Sequence, residues 1–230
     1  MNDAMNKTET IQERIINYLK RNRVSTTEVA DCLGKAGLFP GAKPIVCGMY
    51  KVGIVHWVYG CNESNWTIHE MVREVRPGQV VLMEGFHVED RALIGELVSK
   101  YILLYQQAEA IVTNEKMRDA NGLLKNRYAI WCRGFTPIGC FNREENAHLD
   151  EETIRVHKEM YDGAIAVCDD CGVVIIPKDQ HTEAFLQKLV DIEEQEDIWF
   201  ACLDRKKWDT FDIVCRKRYL QEAAHKDQNT

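Results

Sequence analysis

The chain has 230 residues, 45% hydrophobic and 28% charged, with 14 Gly and 5 Pro. That composition can bury a sizeable core and excludes a fibrous chain or one disordered over most of its length. At ~150 residues per domain the length fits one large domain, or one domain with an appendage. Lys and Arg number 29 against 36 Asp and Glu, a net charge of −7, which disfavours a general binder of nucleic acid or anionic membrane, since both rest on basic surface.

No run approaches the ~18 apolar residues of a membrane span, and the N-terminal stretch lacks the apolar centre of a signal peptide, so a cytoplasmic location is expected. The nine cysteines are odd in number and lie mostly within apolar stretches. They predict reduced thiols and no structural disulfide.

In chain order, Ile11, Ile15 and Leu19 at four-residue spacing predict an amphipathic helix. Ser25 to Glu28 form an S-x-x-E capping box that opens a second helix, with Val29 and Leu33 inward and Gly37 at its end. The β-branched run KVGIVHWVYG reads as a strand. After it, Asn65 is placed to cap a helix carrying Ile68, Met71, Val72 and Val75, which Pro77 and Gly78 stop. QVVLM, wholly apolar, predicts a strand buried on both faces. A helix from Gly95 to Gln107, the strand AIVT, a loop-helix from Arg118 to Lys125 and the strand AIWC follow. This alternation predicts an α/β domain with a parallel or mixed central sheet. Beyond Cys140 a polar helical stretch precedes AIAVC and VVIIP, a hairpin turning at DDCG. A long helix then starts near Thr182 and carries the acidic run DIEEQED. The organisation is an N-terminal helix over 1–24, an α/β domain over 25–180, and a C-terminal helical extension over 181–230 packed on that domain.

The stretch richest in chemistry runs from Glu84 to Asp119. Gly95 at a helix start lets a ligand approach the backbone, and the N–H groups of Glu96, Leu97 and Val98 form an anion site favoured by the helix dipole. Arg118 beside Asp119, just past the strand AIVT, offers a bidentate clamp for a carboxylate or carbonyl next to a hard oxygen ligand. Open α/β sheets place ligands at the carboxyl ends of their strands. Taken alone, the same dipeptides also describe a helix start beside a surface ion pair.

The order and spacing of STTEVADCLGKAGL, the Asn-x-x-x-His of NWTIHE, PGQVVLM, DRALIGELV, MRDANGL, RGFTPIG and YDGAIAVCDDCGVVIIP resemble the family of the regulator of ribonuclease activity A (RraA) and the 4-hydroxy-4-methyl-2-oxoglutarate aldolases. The resemblance implies a swivelling β/β/α domain flanked by N-terminal helices and a C-terminal helical extension. It also implies homotrimeric rings, in some members stacked as hexamers, with active sites between subunits. For the aldolases it implies that Gly95, Glu96, Leu97 and Val98 bind substrate through backbone amides, that Arg118 contacts the pyruvate moiety as substrate-binding and catalytic residue, and that Asp119 holds Mg²⁺ or Mn²⁺. The chain departs from the family pattern at Asn114 and Glu115, where Asp-Gly is usual, at Asn121, where a second acid often stands, and at His56 and Trp57, where smaller residues are usual. The stretch from Asn142 to Met160 is longer and more helical than its family counterpart.

Other features have plainer readings. Cys168-x-x-Cys171 has no second CxxC and falls on a turn. His69 reads as a packed or capping histidine, which the resemblance brings nearer the site, and His56 and His87 are further pocket candidates. Lys116 reads as ion-paired rather than as a Schiff-base amine. Glu193, Glu194 and Glu196 read as a solvated helix face, although in the family a C-terminal acid can reach a neighbour's site. The function that follows is a metal-dependent carbon–carbon lyase, aldolase or decarboxylase, working on a small 2-oxo acid through a pyruvate-like enolate. Two alternatives are a non-catalytic trimeric regulator that binds an RNA-processing enzyme and a specialised sugar-acid enzyme. No membrane and no direct nucleic-acid partner is expected.

Overall fold

The computed structural model describes residues 9–227. Two helices open the chain, α1 (Ile11–Asn22) and α2 (Thr26–Cys32), and both start on complete capping boxes, Thr10 with Glu13 and Ser25 with Glu28. Each box satisfies two backbone donors that would otherwise be orphaned, so both starts are fixed locally.

After β1 (Lys43–Pro44) comes the long strand β2 (Lys51–Cys61), then α3 (Trp66–Met71) running into a short 3-10 turn. Asn65 stands at the N-cap of α3 but makes no capping bond there. Its amide donates to Leu93 O at 2.8 Å instead, so a tertiary tie has taken the side chain from the helix end. Next are β3 (Gln79–Phe86) and α4 (Glu96–Lys100). The helix expected from Gly95 to Gln107 is α-helical for these five residues only and continues as a π-helical turn, Tyr101–Tyr105.

β4 (Ala110–Thr113), β5 (Lys116–Met117), α5 (Ala120–Lys125), β6 (Ile130–Cys132) and β7 (Gly134–Phe135) follow. Only part of the polar stretch beyond Cys140 is helical, as α6 (Glu151–Tyr161). The predicted hairpin is β8 (Ile165–Asp169) with β9 (Gly172–Ile176), and then come α7 (Glu183–Asp204), capped by Thr182, a π-helical turn (Phe211–Cys215) and α8 (Arg218–Asp227).

The main sheet has seven strands in the order β1-β6-β4-β3-β2-β8-β9. Its centre, from β6 to β2, is parallel, and its flanks are antiparallel. The sheet curls until its two ends nearly meet: Lys43 of β1 donates to Cys171 O at 2.8 Å, and Phe39 N donates to Val173 O of β9 at 2.9 Å.

Alternation along the strands splits the core in two. On β3, Val81 and Met83 face a cluster with Ile68, Leu93, Ile102 and Ile111, while Val80 and Leu82 face one with Trp57, Tyr59, Val112 and Trp131. A third cluster seats α1, α2 and the start of α7 on β8 and β9 through Ile15, Leu19, Val29, Phe185 and Leu189. All nine cysteines are free thiols. No described helix is long and apolar enough to cross a membrane.

Candidate functional site

The parallel strands β3 and β4 deliver their following loops to one end of the sheet. There the segment Ala92–Ile94 is clamped between two neighbours. Ala92 N donates to Ile138 O at 2.8 Å and Leu93 N to Lys116 O at 3.0 Å, while Cys140 N donates to Ala92 O at 3.0 Å and Arg118 N to Ile94 O at 3.1 Å. These backbone ties bring Gly95, Arg118 and Gly139 together from three separate stretches of chain.

The two glycines shape the site. A Cβ on Gly95 would lie 2.1 Å from Asp119 Oδ2 and 2.8 Å from Arg118 Cγ, and one on Gly139 would lie 2.7 Å from Arg118 Nη1. No real Cβ tolerates such approaches, so the bare glycine backbones are what let the Arg118 and Asp119 side chains lie where they do. Arg118 Nε stands 3.8 Å from Asp119 Oδ2, and both side chains remain about half exposed, at 52% and 49%. Asp119 has φ 61° and ψ 39°, a left-handed conformation that costs most residues energy and that Asp and Asn bear best.

Of the predicted turn, Gly95, Leu97 and Val98 line a cleft of about 150 Å³ together with Arg118, Asp119, Gly139 and Asn142. Glu96 acts differently. Its N–H donates to Asp119 Oδ2 at 3.0 Å, and its carboxylate lies over Gly122 and accepts from Asn126 Nδ2 at 3.0 Å. Ser99, fully buried, donates to Gly95 O at 2.8 Å and pins the turn.

The opposite wall is a polar chain. Asn142 Nδ2 donates to Asn65 Oδ1 at 2.7 Å and faces His69 Nε2 at 3.2 Å, so that nitrogen accepts and the proton sits on Nδ1. Desolvation lowers the His69 pKa below its ordinary value and favours this neutral form. Gly139, Cys140 and Asn142 are cleft residues that the sequence reading did not single out. Gly139 closes the quoted stretch RGFTPIG, and a glycine there was the available signal.

The other candidates lie elsewhere. His56 Nε2 is 3.3 Å from Met71 O, and Trp57 is buried on the far face of the sheet, donating to Glu84 Oε2 at 2.7 Å. Neither His56, Trp57 nor His87 lines the cleft. Asn114 Oδ1 accepts from Gly85 N at 3.2 Å, and Glu115 packs on Gly85, where burial pushes its carboxyl up and Arg133 opposes the shift. Lys116 is paired with Asp90 at 2.6 Å. Cys168 is buried and Cys171 exposed, on the hairpin turn. Among the described residues no group of three or more His, Cys, Asp and Glu is placed to cage a metal ion. A divalent ion at Asp119 therefore fits only in the manner of Mg²⁺, which keeps several waters and needs one or two carboxylates.

This fold belongs to a known class. Residues 26–175 match the model of the RraA-like family, described as Aldolase/RraA, and the chain belongs to that family. Among solved structures it is similar to an uncharacterized protein from Pseudomonas syringae pv. tomato, with 18% identity and a TM-score of 0.69, covering 89% of this chain and 94% of that one. It is also similar to Streptomyces coelicolor RraAS2, described as an unusual member of the RNase ES inhibitor RraA protein family, with 19% identity and a TM-score of 0.64, covering 80% and 96%. The RNA-processing inhibitor RraA from Thermus thermophilis matches at 19% identity and a TM-score of 0.51, covering 66% and 92%. At such identities these likenesses establish the fold alone.

Proposed function

We propose that the protein is a divalent-metal-dependent carbon–carbon lyase that cleaves or decarboxylates a small 2-oxo acid. The observation that carries this reading is the seating of Arg118 and Asp119 side by side against two glycines at the mouth of a cleft of about 150 Å³. An ion pair of no consequence needs no such accommodation.

Arg118 presents a planar guanidinium to the cleft, suited to the carboxylate and keto oxygens of a 2-oxo acid. Aldol cleavage and decarboxylation both leave a pyruvate-like enolate, whose growing negative charge the guanidinium stabilises. Asp119 would hold Mg²⁺ or Mn²⁺, which supplies Lewis-acid polarisation of the substrate oxygens when bound. Asp119 Oδ2 accepts from the Glu96 N–H, a bond that helps orient the carboxylate that would hold the ion. The Asn65–Asn142–His69 chain forms the wall that meets the substrate's variable end.

The resemblance supports a homotrimer whose neighbour completes the cleft, and trimers paired as hexamers are a further arrangement of the same kind. Leu97 in the cleft wall is 81% exposed and Ile138 54%, apolar surface suited to burial under a second subunit. The competing reading, a regulator that inhibits an RNA-processing enzyme by contact, draws on what the Streptomyces and Thermus structures are described as.

The deciding assay measures decarboxylation of oxaloacetate and cleavage of 4-hydroxy-4-methyl-2-oxoglutarate, with and without EDTA, beside pull-down of a ribonuclease. Metal-dependent turnover supports the lyase; its absence across a panel of 2-oxo acids, with ribonuclease capture, supports the regulator. In calorimetry Asp119→Asn, which keeps the left-handed backbone, is expected to lose the Mg²⁺ or Mn²⁺ heat that the wild type shows. Undiminished binding by the variant would remove Asp119 from the role of ligand.

A further inference from the structure

The polar wall of the cleft has its hydrogen-bond directions fixed from one end, by a backbone carbonyl. Leu93 O can only accept, so the Asn65 amide turns Nδ2 to it, at 2.8 Å, and keeps Oδ1 for Asn142. The Asn142 atom 2.7 Å from that oxygen is therefore Nδ2, and the same nitrogen faces His69 Nε2 at 3.2 Å. Both protons of the Asn142 amide are engaged within the wall. What remains is one acceptor, Asn142 Oδ1, and one donor, the N–H at His69 Nδ1. Neither atom has a protein partner among the described residues.

Charge is distributed unevenly over the same cleft. Among the described residues that line it, only Arg118 and Asp119 carry charged side chains. Desolvation favours neutral His69, and burial pushes the Cys140 thiol up to about 11, so it too is uncharged at neutral pH. Two further arginines lie on the segments that build the site, and both are turned to Phe141. Arg91 Nε donates to Glu63 Oε1 at 2.5 Å and its Nη1 to Gly139 O at 3.1 Å, and Arg91 and Arg143 each lie over the Phe141 ring, 4.4 Å from its centre. Neither lines the cleft.

A substrate bound at Arg118 by one carboxylate has its far end at this wall. A second carboxylate there would meet no cation of this chain and would set its lone pairs against Asn142 Oδ1. A hydroxyl group donates and accepts, and so suits both of the atoms left over.

We propose that the substrate is a 2-oxo acid with a single carboxylate and an uncharged, hydroxylated far end, its hydroxyl groups bonded to Asn142 Oδ1 and to the His69 Nδ1–H. The pyruvate end of this assignment rests on the lyase reading, and the far end on the wall. One member of the class is 4,5-dihydroxy-2-oxopentanoate. On its cleavage the bond between the methylene and the hydroxyl-bearing carbon beside it breaks, and the electron pair passes into the enolate. The hydroxyl proton leaves as that carbon becomes the aldehyde of glycolaldehyde, and a proton taken up at the methylene completes pyruvate. No oxidant or reductant takes part.

The experiment compares acids that differ only at the far end, using the full chain with Mg²⁺. Cleavage is measured for 4,5-dihydroxy-2-oxopentanoate and for 4-hydroxy-2-oxoglutarate, which has a carboxylate in place of the hydroxymethyl group. Binding is measured by calorimetry for 5-hydroxy-2-oxopentanoate and 2-oxoglutarate, which lack the hydroxyl that cleavage needs. The hydroxylated acid of each pair is expected to lead by about tenfold or more, in kcat/KM and in affinity. Asn142→Lys, at an exposed position, keeps donors for Asn65 and His69 and adds the missing charge. It should move both ratios about tenfold toward the dicarboxylic acids, with circular dichroism verifying the fold. Turnover or binding that favours the dicarboxylic acid, or does not distinguish the two, overturns the inference and leaves the lyase standing, as do ratios unmoved by Asn142→Lys. No turnover of either acid, with binding that still favours the hydroxylated one, overturns the lyase and keeps the assignment of the far end. Absence of both turnover and binding overturns both.

Discussion

Glu84 and Asp119 are both carboxylates near the carboxyl ends of adjacent parallel strands, yet their surroundings are opposite in kind. Glu84 is buried, and its Oε2 accepts from Trp57 Nε1 at 2.7 Å and lies 2.7 Å from His157 Nδ1, inside a shell of Tyr59, Phe86 and Tyr161. Its neighbours fill the space and meet its hydrogen-bonding needs. Asp119 is half exposed on a left-handed backbone, beside a half-exposed arginine and against a glycine. The first cluster fastens α6 to the sheet through His157. The second spends backbone conformation and two glycines to keep charged groups at a cleft. Polar residues at strand ends are thus not equivalent evidence of function; the difference lies in what their neighbours leave open.

Substitutions can sharpen or break that contrast. The largest effect is expected from Arg118→Lys, which replaces a planar fork by a point charge: kcat for 2-oxo acid turnover should fall on the order of 10²-fold or more, with a smaller rise in KM. Activity indifferent to the change would break the assignment of Arg118 to the reacting oxygens. Glu84→Ala should do the reverse, leaving activity per folded molecule alone while orphaning the Trp57 indole N–H. A stability loss of about 2–3 kcal/mol in urea unfolding is expected, as for a buried group stripped of its partner.

Gly139→Ala comes next. Its new Cβ meets the flexible end of Arg118, so the fold should hold while the guanidinium shifts, with a loss of roughly tenfold in kcat/KM and little change in Tm. A variant as active as the wild type would show that the site does not depend on where Gly139 lets the guanidinium lie. The smallest effect concerns Glu115, whose carboxyl is raised by burial. A raised acid binds more protons folded than unfolded, so stability falls as pH climbs from the unfolded to the folded pKa and is level above. Glu115→Gln should therefore be slightly more stable than wild type at neutral pH and equal to it at pH below the unfolded carboxyl's. A variant less stable at neutral pH would show that the Arg133 attraction outweighs the burial.

What the sequence made legible was local. The capping box at Ser25, the unbroken apolar run that buries β3 on both faces and the hairpin turn at Asp169 to Gly172 depend on residues within one or two turns of each other, and all are present. Arg118 and Asp119 stood out because they follow a strand. Asn65 misled because its amide has two uses, and the longer-range one prevailed. The pairing of β5 with β7 had no periodicity to announce it, since two-residue strands carry none. Gly139 and Asn142 reach the cleft only through the ladder that ties Ala92 to both flanks, an arrangement fixed by residues far apart in sequence.

The curl of the main sheet bears on how anything can bind this molecule. Gly37 to Phe39 run along the outer edge of β9, and a few residues on Lys43 and Pro44 pair with β6 at the opposite end. One short stretch of chain thus occupies both places where an open sheet would offer unpaired backbone. An extended peptide has no template there to lengthen the sheet, and a neighbouring molecule no edge on which to stack. Along those covered stretches a partner has to be met by side chains, which makes recognition there selective by sequence, and the same covering hinders edge-to-edge association as concentration rises.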